Sequence, residues 1–437
     1  MRESETSAGS DSLAGWLARI ESWSPSEIVL GLERVHEVLG RLQLRLPRTV
    51  LTIGGTNGKG SSVELAQSLC TSGGFVTGAY TSPHISDYNE RIRVGGKAVD
   101  DAAIVAAFEV VDRARGDVPL TYFEFGTLAA LQVFAERGIE VAVLEVGMGG
   151  RLDAVNAIEP TASLITNVSL DHMAWLGSDV EAIGAEKAGI LRAGKPGVFA
   201  SPDVPASVRR VAAELGADLR VAGEDFGAER DGDRWRWWGR ERQLDALAAP
   251  ALPGAAQYAN AAGVLALLEC AGLEQLLERG RVNAALGGLS LPGRMQRVTD
   301  THHWLLDVAH NPAAARVLAA ALHEAPAASP TVMVIGMLDD KDVEDVVGPL
   351  APTVDRWIAM TADSHRALPA EELARRIANA TGRACLEAPS AAEALTAARS
   401  YAGPAGRIVV TGSFYTVGPV LRALPLYSPP QGQANDG

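Results

Sequence analysis

The feature that most constrains this chain is a glycine-rich stretch at residues 50–69, VLTIGGTNGKGSSVELAQSL. An apolar run that predicts a buried strand leads into glycines, a lysine and two serines, and a helical pattern follows. Backbone N–H groups at such a turn can hold a polyphosphate. The spacing departs from the usual phosphate-binding loop, because only three residues separate Gly54 from the Gly-Lys pair and a further glycine precedes Ser61. A turn without a ligand is the alternative. The predicted phosphate contacts are Thr56, Asn57, Gly58, Lys59, Gly60 and Ser61.

Short apolar runs alternate with longer helical patterns along most of the chain. The runs are continuously apolar rather than strictly alternating, which is typical of parallel strands covered on both faces. The segments between them can hold crossover helices, so the sequence predicts a doubly wound α/β fold. The predicted strands are TVLTIGG (49–55), VAVLEVG (141–147), ASLITNVS (162–169), KPGVFA (195–200), WLLDVAH (304–310), TVMVIGM (331–337), RWIAM (356–360) and RIVVTGS (407–413).

A break in the pattern near Pro292-Gly293 predicts two domains. A new series of strands and helices begins after it. We predict a large nucleotide-binding domain over residues 1–296 and a smaller α/β domain over residues 297–437. The segment DRWRWWGRERQ (233–243) is rich in Trp and Arg. It fits a peripheral β-hairpin with half-buried tryptophans better than a surface that stacks nucleobases.

Charge and composition exclude several classes of partner. The net charge is −14, whereas nucleic-acid or anionic-membrane surfaces need clustered Lys and Arg. The N-terminal residues MRESETSAGSD do not resemble a signal peptide, and no apolar run is long enough to predict a membrane span. Cys70, Cys270 and Cys385 lie far apart, which favours reduced thiols. We therefore expect a cytoplasmic protein that binds neither nucleic acid nor membranes.

Polar side chains follow several of the predicted strands. Glu145 ends VAVLE, and a carboxylate at that position can face a nucleotide and hold Mg²⁺, although a buried structural glutamate is the alternative. His172 follows another strand beside Asp171, and the residues alone leave a ligand and a structural histidine both open. In the second domain, Asp307 ends WLLD and His310 follows, so both are expected to face the crevice at the sheet edge.

A series of longer motifs, taken in order, resembles the Mur ligase superfamily and, within it, the folylpolyglutamate synthase family, which includes dihydrofolate synthases. The resemblance runs from LGLERV (30–35) almost to the end of the chain, and TSPH, NERIR, GMGGRLDA and EKAGI are the motifs typical of the folate branch. The altered loop spacing is then the family's own. The motifs are TSPHISDYNERIR (81–93), EVGMGGRLDAVN (145–156), ITNVSLDHMAWLG (165–177), EKAGI (186–190), PGRMQRV (292–298), LDVAHNP (306–312), GMLDDKDV (336–343) and TGSFYTVG (411–418).

The resemblance implies an architecture and a set of cofactors. The expected fold is a mostly parallel ATPase sheet of the P-loop type, followed by a smaller Rossmann-like α/β domain. The expected cofactors are ATP and two Mg²⁺ ions, with Ser82 and Glu145 at the first ion and His172 at the second. The alternative for Ser82 is a turn residue before Pro83. The residues implied in catalysis are Lys59, His172, Lys187 and His310.

Lys187, in IGAEKAGIL, has two interpretations. Taken alone it reads as a surface lysine on a helix, paired with Glu186 or another helical acid. The resemblance implies instead a lysine that captures CO₂ and becomes a carbamate. A neutral, partly desolvated amine can do this, and the resulting anion is compatible with a neighbouring Mg²⁺.

The resemblance also implies ligand contacts whose residue types alone would suggest only surface positions. Asn260, Arg294 and Asp307 are the expected nucleotide contacts from outside the loop. Val29 departs from the aspartate usual in dihydrofolate synthases, and valine cannot accept hydrogen bonds from pterin N–H groups. The expected substrate contacts are Ile28, Val29, Leu30, Thr121, Tyr122, Phe123 and Asp153 for the pterin, with Arg91, His310 and Ser413 for glutamate.

The implied reaction is ADP-forming amide synthesis through an acyl phosphate, by a monomer that binds ATP, L-glutamate and either dihydropteroate or a reduced folate. One alternative is a folylpolyglutamate synthase without dihydrofolate synthase activity. Others are a P-loop kinase or ATPase and a catalytically silent nucleotide-binding scaffold. A cell-wall Mur ligase is disfavoured, because only about 48 residues precede the loop, too few for a separate UDP-sugar domain.

Overall fold

The computed structural model describes residues 12–23, 30–324 and 329–424, and their strands form three sheets. The largest sheet has eight strands in the order β4-β3-β2-β5-β1-β6-β7-β8. All of its neighbouring strands are parallel except β2–β3 and β3–β4. The strands are β1 (Thr49–Gly54), β2 (Thr77–Tyr80), β3 (Ile92–Val94), β4 (Lys97–Ala98), β5 (Val141–Glu145), β6 (Ala162–Ile165), β7 (Pro196–Phe199) and β8 (Asp218–Val221).

Helices cover both faces of this sheet. Residues of a single strand alternate between two apolar clusters: Ala142 and Leu144 belong to one, Val141 and Val143 to the other. This double burial explains why the strand sequences are continuously apolar. The helices are α1 (Leu13–Trp23), α2 (Glu33–Leu42), α3 (Lys59–Ser72), α4 (Asp101–Arg115), α5 (Tyr122–Glu136), α6 (Met173–Leu176), α7 (Val180–Ala188), α8 (Ala206–Leu215), α9 (Ala255–Cys270) and α10 (Arg279–Gly287), with short 3-10 turns at Tyr88–Arg91, Ala154–Ala157 and Glu274–Leu276.

The Trp- and Arg-rich segment forms the centre of a small antiparallel sheet made of β9 (Gly227–Asp231), β10 (Arg234–Trp238) and β11 (Gln243–Ala248). The predicted hairpin is confirmed, but Trp235 and Trp237 are fully buried rather than half-buried. They share one face because strand side chains alternate. The Trp237 indole N–H donates to the Ala262 carbonyl of α9 at 3.2 Å, which satisfies its polar end. These rings are core residues and cannot stack a nucleobase.

The second large sheet has six strands in the order β12-β13-β17-β14-β15-β16, and only β12–β13 is antiparallel. Its strands are β12 (Gln296–Thr299), β13 (His303–Leu306), β14 (Thr331–Ile335), β15 (Arg356–Met360), β16 (Cys385–Ala388) and β17 (Arg407–Thr411). Its helices are α11 (Pro312–Glu324), α12 (Val343–Leu350), α13 (Ala370–Thr381), α14 (Ala391–Ala402) and α15 (Phe414–Ala423), with a 3-10 turn at Ala351–Thr353. The α/β prediction is confirmed. The boundary between residues 296 and 297 stays a prediction.

Two further expectations concern the thiols and the membrane. Cys70, Cys270 and Cys385 all lie in the described ranges and are free thiols, as predicted. Burial raises the pKa of each thiol to about 12, so none of them is a reactive thiolate near neutral pH. Across the part of the chain that the structure describes, no helix has the length and apolar character needed to cross a membrane.

Candidate active site

A cleft of about 730 Å³ lies at the carboxyl ends of the two large sheets, and side chains from both domains line it. Parallel α/β sheets place ligands at this edge, outside the ends of their strands. The structure therefore brings together residues that are far apart in sequence. The predicted site residues that line the cleft are Thr56, Asn57, Gly58, Lys59, Gly60, Ser61, Ser82, Glu145, His172, Lys187, Asn260, Arg294, Asp307, His310 and Ser413.

The glycine-rich loop joins β1 to α3 in a conformation that depends on its glycines. Gly55 has φ 134° and Gly58 has φ 89°, values that residues with a side chain rarely adopt. A Cβ at Gly55 would lie 1.9 Å from the Thr166 hydroxyl, and one at Gly58 would lie 2.5 Å from the Asn260 side chain. The loop is thus packed closely against β6 and α9, and its shape is fixed before any phosphate arrives.

Lys59 is the first residue of α3, and its ammonium group folds back over the loop. Its Nζ donates to the carbonyls of Gly55 at 3.1 Å and Thr56 at 3.2 Å. Burial lowers the pKa of Lys59, whereas the nearby carboxylates of Glu145 and Asp171 oppose that shift. The Lys59 ammonium therefore lies where the terminal phosphates of a bound nucleotide are expected.

Glu145 ends β5 and is almost completely buried in the cleft wall. Burial raises the pKa of Glu145, and the Lys59 charge and the Ser82 N–H oppose the shift. That Ser82 backbone N–H donates to Glu145 Oε2 at 3.2 Å, which places the two predicted ligands of the first metal side by side. Burial of a carboxylate at a strand end is costly, and a bound cation at this position would offset that cost.

Glu145 and Ser82 alone supply only part of the coordination shell of a magnesium ion. Among the described residues, no group of three or more His, Cys, Asp or Glu side chains could hold a metal ion. Mg²⁺ does not require such a group, because it commonly takes one or two carboxylates, retains waters and completes its shell with substrate phosphates. Glu145 and Ser82 beside the phosphate loop provide this kind of site.

His172 lies at the end of the loop that follows β6, immediately before α6. Its backbone is left-handed, with φ 52°. Burial lowers the pKa of His172 to about 4, and the charges of Lys341, His310 and Lys59 add to this shift while Asp171 opposes it. The imidazole is thus neutral at physiological pH, which is the form that binds metal ions.

Lys187 lies on α7 and is only 4% exposed. Burial lowers its pKa to about 7, and repulsion from Lys59 contributes. In the described residues its amine has no hydrogen bond or ion pair, while Glu186 pairs instead with Arg151 at 2.8 Å. The interpretation of Lys187 as a solvent-facing lysine paired with Glu186 is therefore wrong. Instead, the structure places inside the cleft a buried amine whose neutral form is accessible near neutral pH.

The remaining nucleotide candidates approach from α9 and from the second domain. Asn260 packs against Gly58 of the loop. Arg294 is half-buried, with its guanidinium over the Phe414 ring, 4.9 Å from the centroid. Asp307 accepts the backbone N–H groups of Met295 and Ala309, each at 2.9 Å, and so fixes the chain where it enters the second domain.

The predicted substrate residues are mostly placed away from the cleft. Ile28 and Val29 fall outside the described residues. Of the other pterin and glutamate candidates that the structure describes, only His310 and Ser413 line the cleft, and Ser413 also caps α15. Those not lining it are Leu30, Arg91, Thr121, Tyr122, Phe123 and Asp153.

Local contacts explain what several of these residues do in the fold. Thr121 caps α5 by accepting from the Glu124 N–H at 3.2 Å, and the Phe123 ring packs on Tyr80 with centroids 6.0 Å apart. Asp153 accepts the N–H groups of Met148 and Val155 at 2.9 and 3.0 Å. The Asp153 carboxylate thus holds the loop after β5, and its role as a pterin ligand stays a prediction.

Arg91 is buried without a carboxylate partner among the described residues. It donates to His84 Nδ1 at 2.8 Å, and its guanidinium lies over the Tyr88 and Tyr122 rings at 5.3 and 5.6 Å. Burial lowers the pKa of His84 to about 3, so this imidazole is a neutral acceptor. No sequence pattern predicted this pairing, because only the resemblance pointed to Arg91.

Three side chains of the second domain converge on Asp171. It receives Lys341 Nζ at 2.8 Å and Asn311 Nδ2 at 3.0 Å, and His310 Nε2 lies 3.5 Å away. Burial opposes ionisation, but the His310 hydrogen bond and the charges of the neighbouring cations hold the pKa of Asp171 well below its usual range. Neither Asn311 nor Lys341 was a predicted site residue, although both lie in quoted motifs.

Comparisons with known proteins agree with this architecture. Residues 53–230 match the family model of the Mur ligase middle domain, and residues 293–414 match that of the Mur ligase glutamate ligase domain. The chain is 38% identical over 413 residues to the dihydrofolate synthase/folylpolyglutamate synthase of Escherichia coli K12, covering 94% of this chain and 95% of that protein. It is 33% identical to the Mycobacterium tuberculosis protein of the same name, covering 81% and 79% of the two chains.

Solved structures are similar over nearly the whole chain. E. coli FolC in complex with DHPP and ADP superposes with a TM-score of 0.90 at 37% identity, covering 96% of this chain and 99% of that one. A bifunctional folylpolyglutamate synthase/dihydrofolate synthase with Mn, AMPPNP and L-glutamate bound superposes with a TM-score of 0.88 at 38% identity, covering 97% and 100%.

Proposed function

We propose that this chain, which belongs to the dihydrofolate synthase/folylpolyglutamate synthase family of Mur ligases, uses ATP to join L-glutamate to dihydropteroate and to reduced folates. Members of the family are ligases that form carbon–nitrogen bonds and release ADP, and ATP and a divalent metal ion are their cofactors. The observation that carries the proposal is the cleft itself. A phosphate loop with Lys59 on one side faces Asp307 and His310 of the second domain on the other, together with Arg294 from the segment that leads into that domain.

The reaction takes two steps. A carboxylate oxygen of the pteroate or folate attacks the γ-phosphorus of ATP, and ADP leaves, which gives an acyl phosphate. The α-amino group of glutamate then attacks the acyl carbonyl, and inorganic phosphate leaves with the former carboxylate oxygen. Lys59 neutralises charge on the transferring phosphoryl group, and His310, Arg91 and Ser413 are proposed to position glutamate. No covalent enzyme intermediate is needed.

Two magnesium ions complete the proposed site. Ser82 and Glu145 would hold one, and His172 with a carbamylated Lys187 would hold or position the other. Bound there, the ions would neutralise negative charge on the phosphate oxygens. The burial of Lys187 supports the carbamate, because it lowers the pKa of the amine to about 7 and so makes the neutral form available, and only that form captures CO₂.

The metal assignment predicts a loss of turnover when either protein ligand is changed. Glu145→Gln and His172→Ala are each expected to lower kcat by about 10²-fold and to raise the Mg²⁺ concentration needed for half-maximal rate. His36→Ala, an exposed histidine on α2, is the matched control. Rates measured across a Mg²⁺ titration provide the test, and an unaltered Mg²⁺ dependence in both variants would remove these residues from the metal site.

Substrate choice turns on Val29. We expect glutamate-dependent ADP release with tetrahydrofolate and also with dihydropteroate. If only the folate is used, the protein is a folylpolyglutamate synthase alone, and Val29→Asp should improve the use of dihydropteroate by supplying an acceptor for the pterin N–H groups. The measurement is ADP release with each substrate, with and without glutamate. A wild-type preference for dihydropteroate would show that Val29 is no impediment.

Glutamate dependence also separates the ligase from the other candidate function. A P-loop kinase or ATPase would release ADP equally well without an amine acceptor. The buried amine of Lys187 beside the phosphate loop has no purpose in such an enzyme, which is why the ligase is preferred. ADP release that ignores both glutamate and the folate substrate would reverse that preference.

The proposed function also implies the binding partners and the cellular location of the protein. We propose a cytoplasmic monomer whose ligands are ATP, L-glutamate and pteroate or folate substrates, with no nucleic acid or membrane partner. Three free thiols fit a reducing compartment. The net charge of −14 fits the lack of a polyanionic partner.

A further inference from the structure

We infer that Lys341 is a positioning residue that holds the two domains together across the cleft by pairing with Asp171. Lys341 lies in the loop after β14 of the second domain, and Asp171 lies in the loop after β6 of the first. The Lys341 Nζ and the Asp171 Oδ1 are 2.8 Å apart, and the two side chains are only 9% and 8% exposed. The inference rests on the ligase function proposed above and adds a residue to which that proposal gives no role.

The pair is part of a larger contact between the domains. Asn311 donates to the other carboxylate oxygen of Asp171 at 3.0 Å, and His310 lies 3.5 Å from the same oxygen. Asn311 also exchanges hydrogen bonds with Asn57 of the phosphate loop, at 3.1 and 3.3 Å. Three side chains of the second domain thus converge on one carboxylate of the first, and one of them continues to the nucleotide loop. We call Asp171, His310, Asn311 and Lys341 the clasp.

Burial distinguishes this ion pair from others in the same loop. Asp340 also pairs with Arg366, but those side chains are 33% and 43% exposed, and water screens such pairs. The Lys341–Asp171 pair lies where charges interact more strongly, and removing one partner would leave the other charge buried. Asp340 is the other acid near Lys341, 3.6 Å away, while the other titratable groups that interact with Asp171 are His172, His310, Lys59 and Lys187.

The position of the clasp gives it a role in the reaction. In the described residues the chain passes between the two large sheets once, near Pro292-Gly293, so side-chain contacts must fix how the domains meet. Asp171, His310 and Lys341 of the clasp line the cleft together with His172 and the phosphate loop. A closed cleft protects the acyl phosphate from water, which would otherwise attack its carbonyl, release phosphate and regenerate the carboxylate. Opening the clasp should therefore uncouple ADP release from amide formation.

Lys341→Met provides the first test, because methionine keeps much of the side-chain volume and removes the charge. We expect at least about threefold more ADP than amide from this variant, against equal amounts from the wild type, with amide formation slowed by about tenfold. Lys195→Met is the matched control, since Lys195 is 39% exposed and pairs with Glu159 away from the cleft. Its ADP-to-amide ratio should stay at one. Equal amounts of ADP and amide from Lys341→Met would overturn the inference.

A double-mutant cycle tests the pairing itself. Asp171→Asn and Lys341→Met should not combine additively, and the double variant should be no slower than the slower single variant. Additive losses would mean that the two residues act independently, which would overturn the pair. Thermal unfolding midpoints of all variants should stay close to that of the wild type, because an opened cleft exposes the remaining charge to water and the apolar cores do not include the clasp residues.

Small-angle scattering tests the clasp independently of the proposed ligase activity. With ADP bound, Lys341→Met should have a larger radius of gyration than the wild type and Lys195→Met. If the wild type makes no amide, the proposed function fails, and the scattering result alone then decides the clasp. An unchanged radius of gyration would overturn it.

Discussion

Replacing Lys59 with alanine is expected to lower the rate of ADP formation by about 10³-fold or more, because the loop cation acts on the transferring phosphoryl group. Its ammonium is held by only two carbonyls of its own loop, at 3.1 and 3.2 Å. The loop is fixed instead by its glycines and by its contacts with Thr166 and Asn260. The fold should therefore survive the substitution. Steady-state ADP release and thermal unfolding measure the two effects separately.

Lys195→Ala is a suitable comparison for Lys59→Ala. In the wild type the Lys195 amine donates to the Pro160 carbonyl, and neither residue lines the cleft. Lys195→Ala should retain full activity. Near-normal turnover of Lys59→Ala would remove the loop lysine from the mechanism. A large fall in its unfolding midpoint would show that the lysine supports the fold.

Replacing Lys187 with alanine is expected to remove most activity, by about 10²-fold or more, if its carbamate supports charge in the transition state. An ammonium at this buried position would repel a neighbouring Mg²⁺, whereas a carbamate attracts it. Burial and the Lys59 charge already lower the pKa of the Lys187 amine to about 7, so that the neutral, reactive form is available near neutral pH. Acetate, a small carboxylate, should restore part of the activity of Lys187→Ala.

Direct observation of the modification provides the control for this prediction. Wild-type protein equilibrated with ¹³C-bicarbonate should give a carbamate carbon signal that is absent from Lys187→Ala and present in Lys195→Ala. A silent Lys187→Ala variant would contradict the proposed role. The absence of a carbamate signal from active wild-type protein would also contradict that role, even if Lys187→Ala is inactive.

Much of the fold could be predicted because its strands are buried on both faces. Continuous apolar runs located β1, β5 and β14 to within a few residues, and Pro292-Gly293 indicated where the second α/β series begins. The loop between Gly54 and Lys59 was recognisable because its glycines are required by local backbone geometry, which a short sequence specifies. The burial of Trp235 and Trp237 was underestimated, because it depends on packing against α9, which is distant in sequence.

The contacts across the cleft could not be predicted in the same way. Asp171 and Lys341 are separated by 170 residues and lie in different domains, so no local spacing relates them. The pairing of Arg91 with His84, seven positions earlier, was also missed. It depends on the loop that leads into the 3-10 turn at Tyr88–Arg91, which has no regular spacing to read from the sequence. For Lys187, helical periodicity alone suggested a surface position, and only the tertiary packing of α7 reveals its burial.

Transfer of oxygen from the folate substrate to phosphate is the most direct test of the acyl phosphate route. Tetrahydrofolate or dihydropteroate labelled with ¹⁸O in the reacting carboxylate should be incubated with ATP, Mg²⁺ and L-glutamate, and the phosphate and amide analysed by mass spectrometry. We expect one ¹⁸O atom in inorganic phosphate for each amide formed, because the carboxylate oxygen that attacks phosphorus leaves with it. Amide formation accompanied by unlabelled phosphate, or ADP release without any amide, would contradict the acyl phosphate route.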